Sequence, residues 1–141
     1  MLEIINSQRK IKIDAKSFEE FAEKVVRKTS KTGKKNITIA FVSDKKMRLL
    51  NKTFRGRSAT TDVLSFPFKA EAFEFEENNL GDIFISLERA EKQAEENNLA
   101  FETEIKQLIL HGILHLCGFD HETDAGEMNQ LELELREKLR I

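Results

Sequence analysis

The chain has 141 residues, a formal net charge of −2 and a hydrophobic fraction of 40%. These values predict one domain over residues 1–141 with enough apolar side chains to form a core. No apolar run is long enough to span a membrane, and the first residues lack the basic and apolar segments of a secretory signal. The single cysteine, Cys117, excludes an intramolecular disulfide and fits a reducing compartment. We therefore expect a cytoplasmic protein with no membrane partner.

The two halves of the chain differ in charge. Residues 1–69 contain 17 Lys and Arg against 7 Asp and Glu, whereas residues 70–141 contain 6 against 18. Either these charges are mostly the solvated faces of amphipathic elements, or the first half presents a local basic surface to an anionic partner. The overall pI of about 6.0 argues against bulk binding to polyanions.

The first third of the chain predicts strands at residues 2–5, 11–13 and 36–43, which are rich in β-branched residues or alternate in polarity. The capping-box pattern Ser17-Phe-Glu-Glu20 opens a helix that runs to about Thr29. This order of short strands and amphipathic helices is typical of a mixed fold.

A helix over about residues 45–54 follows, and Ser43 or Asp44 can cap it. Its inward residues are Met47, Leu50 and Phe54, and its opposite face carries Lys45, Lys46, Arg48 and Lys52. The polar segment 55–61 comes next and contains Arg55 and Arg57. A guanidinium can bind a phosphate through two parallel hydrogen bonds, but the spacing alone favours solvated loop charges.

The middle of the chain predicts two strands, at residues 62–68 and 80–86, separated by an acidic loop or hairpin arm over residues 69–79. Pro67 lacks an amide donor, so the first of these strands is expected to end or to lie at an edge there. Ser86 can cap the helix that follows, which Asn97 and Asn98 end.

Two further helices are predicted, at about 101–117 and 124–139. The first is apolar almost all round from residue 108, which is typical of a buried central helix. The second has an inward stripe of Met128, Leu131, Leu135 and Leu139. We therefore predict a single α+β domain that contains this buried central helix.

All three histidines of the chain lie between residues 111 and 121. His111 and His115 are one helical turn apart on the same face. Gly118 can end the helix in a left-handed conformation, and a reversing chain can return His121 to the other two. Three imidazoles with one open position suit a single zinc ion, although other divalent transition metals are possible. Zinc lowers the pKa of a bound water towards about 7.

This spacing is the metzincin pattern H-E-x-x-H-x-x-G-x-x-H, except that Gly112 replaces the glutamate base. A metzincin-like peptidase is therefore one alternative, although it would need another base. The glycine can also allow the close approach of another element. Asp120 either accepts a hydrogen bond from a ligand imidazole or caps the loop. Cys117 faces away from His115 and is expected in the core.

The run from His111 to His121 resembles the H-G-x-L-H-L-x-G-[YF]-D-H signature of the YbeY endoribonuclease family, the bacterial rRNA maturation factors. Further agreement in type and order comes from three stretches: Asn51-Lys-Thr-Phe-Arg-Gly56, Thr61-Asp-Val-Leu-Ser-Phe-Pro67 and Gly81-Asp-Ile83. The resemblance covers essentially the whole chain. It implies an α+β fold, distantly metzincin-like, with a small mixed sheet and helices packed around a central metal-bearing helix.

The resemblance implies a zinc-dependent hydrolase that cleaves phosphodiester bonds in single-stranded RNA. It implies roles in 3′-end maturation of small-subunit rRNA and in ribosome quality control, with no DNA substrate. His111, His115 and His121 match the family's metal ligands, and Arg55 matches its functional arginine. Cations expected to contact the RNA backbone are Arg57, Lys52, Lys45, Lys46 and Arg48. A third hypothesis is a ribosome-associated binding factor whose metal is structural.

Overall fold

The computed structural model describes residues 1–30, 33–68, 78–119 and 124–141. Within these ranges four strands form one sheet: β1 (Leu2–Asn6), β2 (Asn36–Val42), β3 (Val63–Pro67) and β4 (Asn79–Ser86). Their order across the sheet is β1-β2-β4-β3. The first three in this order run parallel, and β3 pairs antiparallel with β4. The predicted mixed sheet is confirmed, and Pro67 lies on an edge strand as expected.

Five α-helices of the described ranges accompany the sheet: α1 (Glu19–Thr29), α2 (Asp44–Arg55), α3 (Leu87–Glu96), α4 (Phe101–Leu116) and α5 (Glu127–Leu139). Ser43 and Ser86 cap α2 and α3 as predicted, because each side chain accepts a hydrogen bond from the amide three residues on. The fold is α+β, as expected. Within the described residues no helix combines the length and the apolar character that crossing a bilayer requires.

Alternating side chains divide the sheet into two apolar faces. Ile39, Phe41, Ile83 and Ile85 belong to the larger core, which also contains the buried residues of α1, α3, α4 and α5. Neighbouring strand residues point the other way and pack under α2 around the buried Met47. Consequently α2 lies on one face of the sheet and α4 on the other.

The predicted strand at residues 11–13 is wrong. Buried Gln8 explains the difference, because its amide donates to the Ile11 carbonyl oxygen at 2.7 Å and accepts from the Ile11 amide at 2.9 Å. These bonds satisfy backbone groups that a strand partner would otherwise pair. Ile11 and Ile13 still pack against the core.

The predicted capping box at Ser17 is also wrong. The Ser17 hydroxyl donates to the Asp14 carbonyl oxygen at 2.6 Å instead of capping a helix. Residues Ala15–Phe18 form a 3₁₀ turn, and α1 begins only at Glu19.

Two expectations for α2 need correction. Phe54 is 64% exposed and not inward, although its ring meets the Phe66 ring edge-on with centroids 5.3 Å apart. Arg55 is the last residue of α2 and not part of the loop, because Gly56 ends the helix with a φ of +66°. Most of the expected acidic arm, at residues 69–77, lies outside the described residues.

Candidate metal centre

Helix α4 brings two of the three histidines together. His111 and His115 are both partly exposed on a helix whose other faces are largely buried. Their Nε2 atoms lie 3.1 Å apart, and their ring centroids are separated by 4.7 Å. Gly118 follows the helix with a φ of +96°, so the predicted left-handed helix end is confirmed. His121 and Asp120 lie outside the described residues.

A carboxylate from α5 holds the first histidine in place. Glu132 is only 7% exposed, and both of its carboxylate oxygens lie 3.1 Å from His111 Nδ1. Arg136 Nη2 donates to Glu132 Oε1, also at 3.1 Å. Burial raises the pKa of Glu132, but the hydrogen bond and charge of His111, together with Arg136, outweigh it and leave the pKa below its usual value.

The hydrogen-bond geometry assigns the proton of His111. An ionised carboxylate can only accept hydrogen bonds, so Nδ1 must carry the hydrogen and donate it to Glu132. In a neutral imidazole this leaves the Nε2 lone pair available to a metal. Glu132 therefore fixes the orientation and tautomer of the His111 imidazole, as a carboxylate can do for a histidine that binds a metal.

The separation of the two Nε2 atoms fits a shared metal ion. Two nitrogens bound to zinc at the usual distance and a tetrahedral angle are about 3.3 Å apart. The observed 3.1 Å is close to this value. Among the described residues no group of three or more His, Cys, Asp or Glu side chains could hold a metal. Within that part of the chain the candidate centre is thus the pair His111 and His115.

Sequence reasoning missed Glu132. The signal was present, because residue 132 falls between Met128 and Leu135 on the inward stripe of α5, where a carboxylate is costly unless it has a partner. The periodicity could indicate that Glu132 is buried. It could not indicate that His111 is the group it meets.

A polar cavity of about 280 Å³ opens beside His111. Glu104 of α4 lines it and is 5% exposed. Its pKa is raised, first by burial and then by the nearby charge of Asp62. Oriented to satisfy its neighbours, the Gln93 amide nitrogen donates to Glu104 Oε1 at 3.0 Å and to Asp62 Oδ2 at 3.1 Å. These two hydrogen bonds of Gln93 connect α3 with α4 and with the residue just before β3.

Gly112 packs α4 closely against the sheet. A Cβ at this position would lie 2.9 Å from Ile83 Cδ1 and 3.2 Å from Ser65 Oγ. Ser65 also donates a hydrogen bond to the Gly112 carbonyl oxygen at 3.3 Å. The alternative that glycine allows another element to approach is therefore confirmed, and the position has no room for a glutamate.

The cations predicted to bind RNA lie on α2 and in the loop that follows it. Arg55 and Arg57 are exposed at the end of α2 and in the loop that follows it. Lys45, Lys46, Arg48 and Lys52 line a shallow groove of about 430 Å³ on the outer face of α2. Because α2 and α4 occupy opposite faces of the sheet, the four cations on the outer face of α2 do not lie beside the histidine pair. No described hydrogen bond or ion pair joins Arg55 to it.

A pair of imidazoles one helical turn apart, with a carboxylate behind one of them, is typical of metal-dependent hydrolases. The family model described as Endoribonuclease YbeY matches residues 3–140. The chain belongs to the YbeY endoribonuclease family, whose members are nucleases that act on RNA.

Individual relatives agree with the family match. The chain is 44% identical to Endoribonuclease YbeY of Clostridioides difficile, covering 74% of this chain and 72% of the relative. It is 36% identical to the protein of the same name from Thermodesulfovibrio yellowstonii, covering 99% and 97%. It also resembles the solution structure of TM1509 from Thermotoga maritima, with a TM-score of 0.64, 30% identity, and coverage of 99% and 92%.

Proposed function

We propose that this protein is a zinc-dependent, single-strand-specific endoribonuclease that matures the 3′ end of small-subunit rRNA and takes part in ribosome quality control in the cytoplasm. The observation that carries the proposal is the convergence of His111 Nε2 and His115 Nε2 at 3.1 Å, with Glu132 behind His111. Two imidazoles bound to one zinc ion would place their Nε2 atoms at about this separation.

His111, His115 and His121 would hold the zinc. When bound, zinc would supply Lewis acidity and lower the pKa of water at the site. The protein's own contribution is orientation: Glu132 accepts the Nδ1 hydrogen of His111 and keeps Nε2 directed at the metal position. Arg136 neutralises the carboxylate, so that the site does not repel a phosphodiester.

Arg55 would bind a phosphate of the RNA and stabilise the negative charge that develops during cleavage. Its exposed position at the end of α2 leaves its donors accessible to a substrate. The substrate strand would have to pass around the edge strand β3 to reach Arg55 from the histidine face. The role of Arg55 therefore needs a separate variant in the experiment.

The peptidase alternative gains no support from position 112. The glutamate base of the H-E-x-x-H motif has no equivalent there, because Gly112 is enclosed by Ile83 and Ser65. A peptide library digested in parallel with single-stranded and duplex RNA would separate the two activities. Cleavage of peptides but not RNA would contradict the proposal.

The central experiment is metal analysis of the purified protein, combined with cleavage of single-stranded RNA with and without a chelator. We expect bound zinc and loss of cleavage in chelator. His111→Ala should lose both the metal and the activity while remaining folded by circular dichroism. Arg55→Glu should keep the metal and lose activity.

The matched control for Arg55→Glu is Arg9→Glu, which changes the same charge at an exposed position near β1. Full cleavage by the metal-free protein would exclude the metal mechanism. Full activity of Arg55→Glu would remove Arg55 from the site without affecting the assignment of the histidines.

A further inference from the structure

The outer face of α2 is a dense group of cations that the histidine centre does not use. It consists of Lys45, Lys46, Arg48 and Lys52, all exposed, around the 55% exposed Leu49. We call these four cations the α2 basic face. Within the described part of the chain none of the four forms an ion pair, although four other Lys and Arg side chains do so there.

The one acidic residue of α2 is turned away from this face. Asp44 Oδ1 accepts hydrogen bonds from the hydroxyls of Thr60 and Ser86, and Arg89 Nη2 lies 3.8 Å from Asp44 Oδ2. The outer surface of α2 is therefore cationic along its length. In a chain whose net charge is −2, this concentration of positive charge is local.

The spacing of the cations suits a run of phosphates. Lys45, Arg48 and Lys52 follow one another at intervals of three and four residues, which places them in a row on one side of a helix. With a rise of 1.5 Å per residue, the row is about 10 Å long. Such a row can contact more than one phosphate of the same RNA.

The layers of the fold separate this row from the histidine pair. Helix α2 packs on one face of the sheet and α4 on the other, so their axes are on the order of 20 Å apart, two packing layers. The α2 basic face also points away from the sheet. A short strand seated at His111 and His115 would have to pass around the edge strand β3 to reach this face.

We infer that the α2 basic face is a second RNA-binding surface, which anchors the phosphate backbone of a folded segment of the substrate at a distance from the strand that is cleaved. The inference rests on RNA being the substrate, and it does not depend on which metal the histidines hold. Charge complementarity favours RNA over a protein partner, because four cations without an ion pair among the described residues, around one apolar side chain, match a phosphate backbone more closely than a typical protein interface.

The test is a comparison of two triple variants with equal loss of charge. K45Q/R48Q/K52Q removes the row on α2. K24Q/R27Q/K28Q removes three exposed cations from α1, on the other face of the sheet, and serves as the control. Binding of each variant to a hairpin RNA with a single-stranded tail, and to a short single-stranded oligonucleotide, is measured in chelator over a range of salt concentrations.

We expect the α2 variant to bind the hairpin about tenfold or more weakly. The logarithmic slope of its salt dependence should be less negative by up to about 2.7, or about 0.9 for each phosphate that the variant no longer neutralises. The control should bind the hairpin as the wild type does. The α2 substitutions should weaken binding of the short oligonucleotide much less than binding of the hairpin.

Equal weakening of both RNAs would overturn the inference, because α2 would then follow the cleaved strand itself. Equal hairpin binding by the two triple variants would overturn it as well. A failure of the metal proposal would appear separately, as cleavage of RNA in chelator.

Discussion

At the scale of single residues, the sequence indicated the pair His111 and His115 but not Glu132, the carboxylate that binds His111. His111 and His115 are i and i+4, and helix geometry alone brings them together. Glu132 is 21 residues from His111 and on another helix. Its pairing depends on how α5 docks against α4, and local periodicity does not contain that information.

Glu132→Gln tests the positioning of His111. Glutamine keeps the shape but loses the charge, and its amide nitrogen, in place of one carboxylate oxygen, donates and cannot accept from His111. We expect zinc affinity to fall about 10- to 100-fold, as measured by competition with a chelator. In the metal-free protein, ¹⁵N chemical shifts should show His111 losing its preference for the Nδ1–H tautomer.

Glu134→Gln is the control, because Glu134 is exposed on the same helix and, of the residues that the structure describes, Gln130 alone donates to it, at 3.4 Å. It should bind zinc as the wild type does. Unchanged affinity and tautomer in Glu132→Gln would show that Glu132 serves only the packing of α5.

At the scale of secondary-structure elements, most strands and helices followed from β-branched runs, apolar stripes and serine caps. The exceptions have local causes. The Gln8 amide replaces a strand partner for Ile11, and the Ser17 hydroxyl turns back to Asp14. Both are side-chain bonds to the backbone, which compete with regular structure at positions that periodicity assigns to it.

The close packing of α4 against β4 at Gly112 can be tested by substitution. An alanine normally favours a helix by about 1 kcal/mol over glycine. Here its Cβ would lie 2.9 Å and 3.0 Å from two methyl carbons of Ile83, so crowding should prevail. We expect Gly112→Ala to lower the free energy of unfolding by about 1–3 kcal/mol, measured by urea denaturation.

Ile83→Val in the same chain should restore part of this loss, because it removes Cδ1 and leaves the branched methyl. A double-mutant cycle gives the coupling between the two positions. Additive effects, or a Gly112→Ala variant as stable as the wild type, would mean that the helix and strand adjust without cost.

At the scale of the whole molecule, the α+β class and the central position of α4 could be predicted, because α4 is the most apolar helix. Which face of the sheet each helix covers could not be predicted. The placement of α2 opposite α4 depends on the crossover from β2 through α2 and β3 to β4. It is this placement that separates the α2 basic face from the histidines.

Glu104 should make the stability of the protein depend on pH. It lies on α4, next to Gln93 of α3 and Asp62 just before β3. Its folded-state pKa is raised above 4.5, so the folded protein retains a proton that the unfolded chain releases. That contribution to stability is fully present below about pH 4.5 and is lost as pH rises through the folded pKa. Glu104→Gln should therefore unfold at a higher temperature than the wild type at pH 7.

The difference in melting temperature between Glu104→Gln and the wild type should shrink as the pH is lowered towards 4.5, as measured by thermal unfolding at a series of pH values. The glutamine can still accept from Gln93, so the cavity keeps its hydrogen bond. A difference that does not vary with pH would assign the effect to packing.

The contribution of Glu132 from α5 has a consequence for synthesis of the chain. Residues 111 and 115 leave the ribosome before residue 132, so a nascent chain carries both imidazoles before it carries the carboxylate that orients one of them. If the histidines hold zinc as proposed, an ion captured early would meet imidazoles free to choose either tautomer. Tight binding would then begin only when α5 docks, so uptake of the proposed ion would be coupled to the folding of this helix.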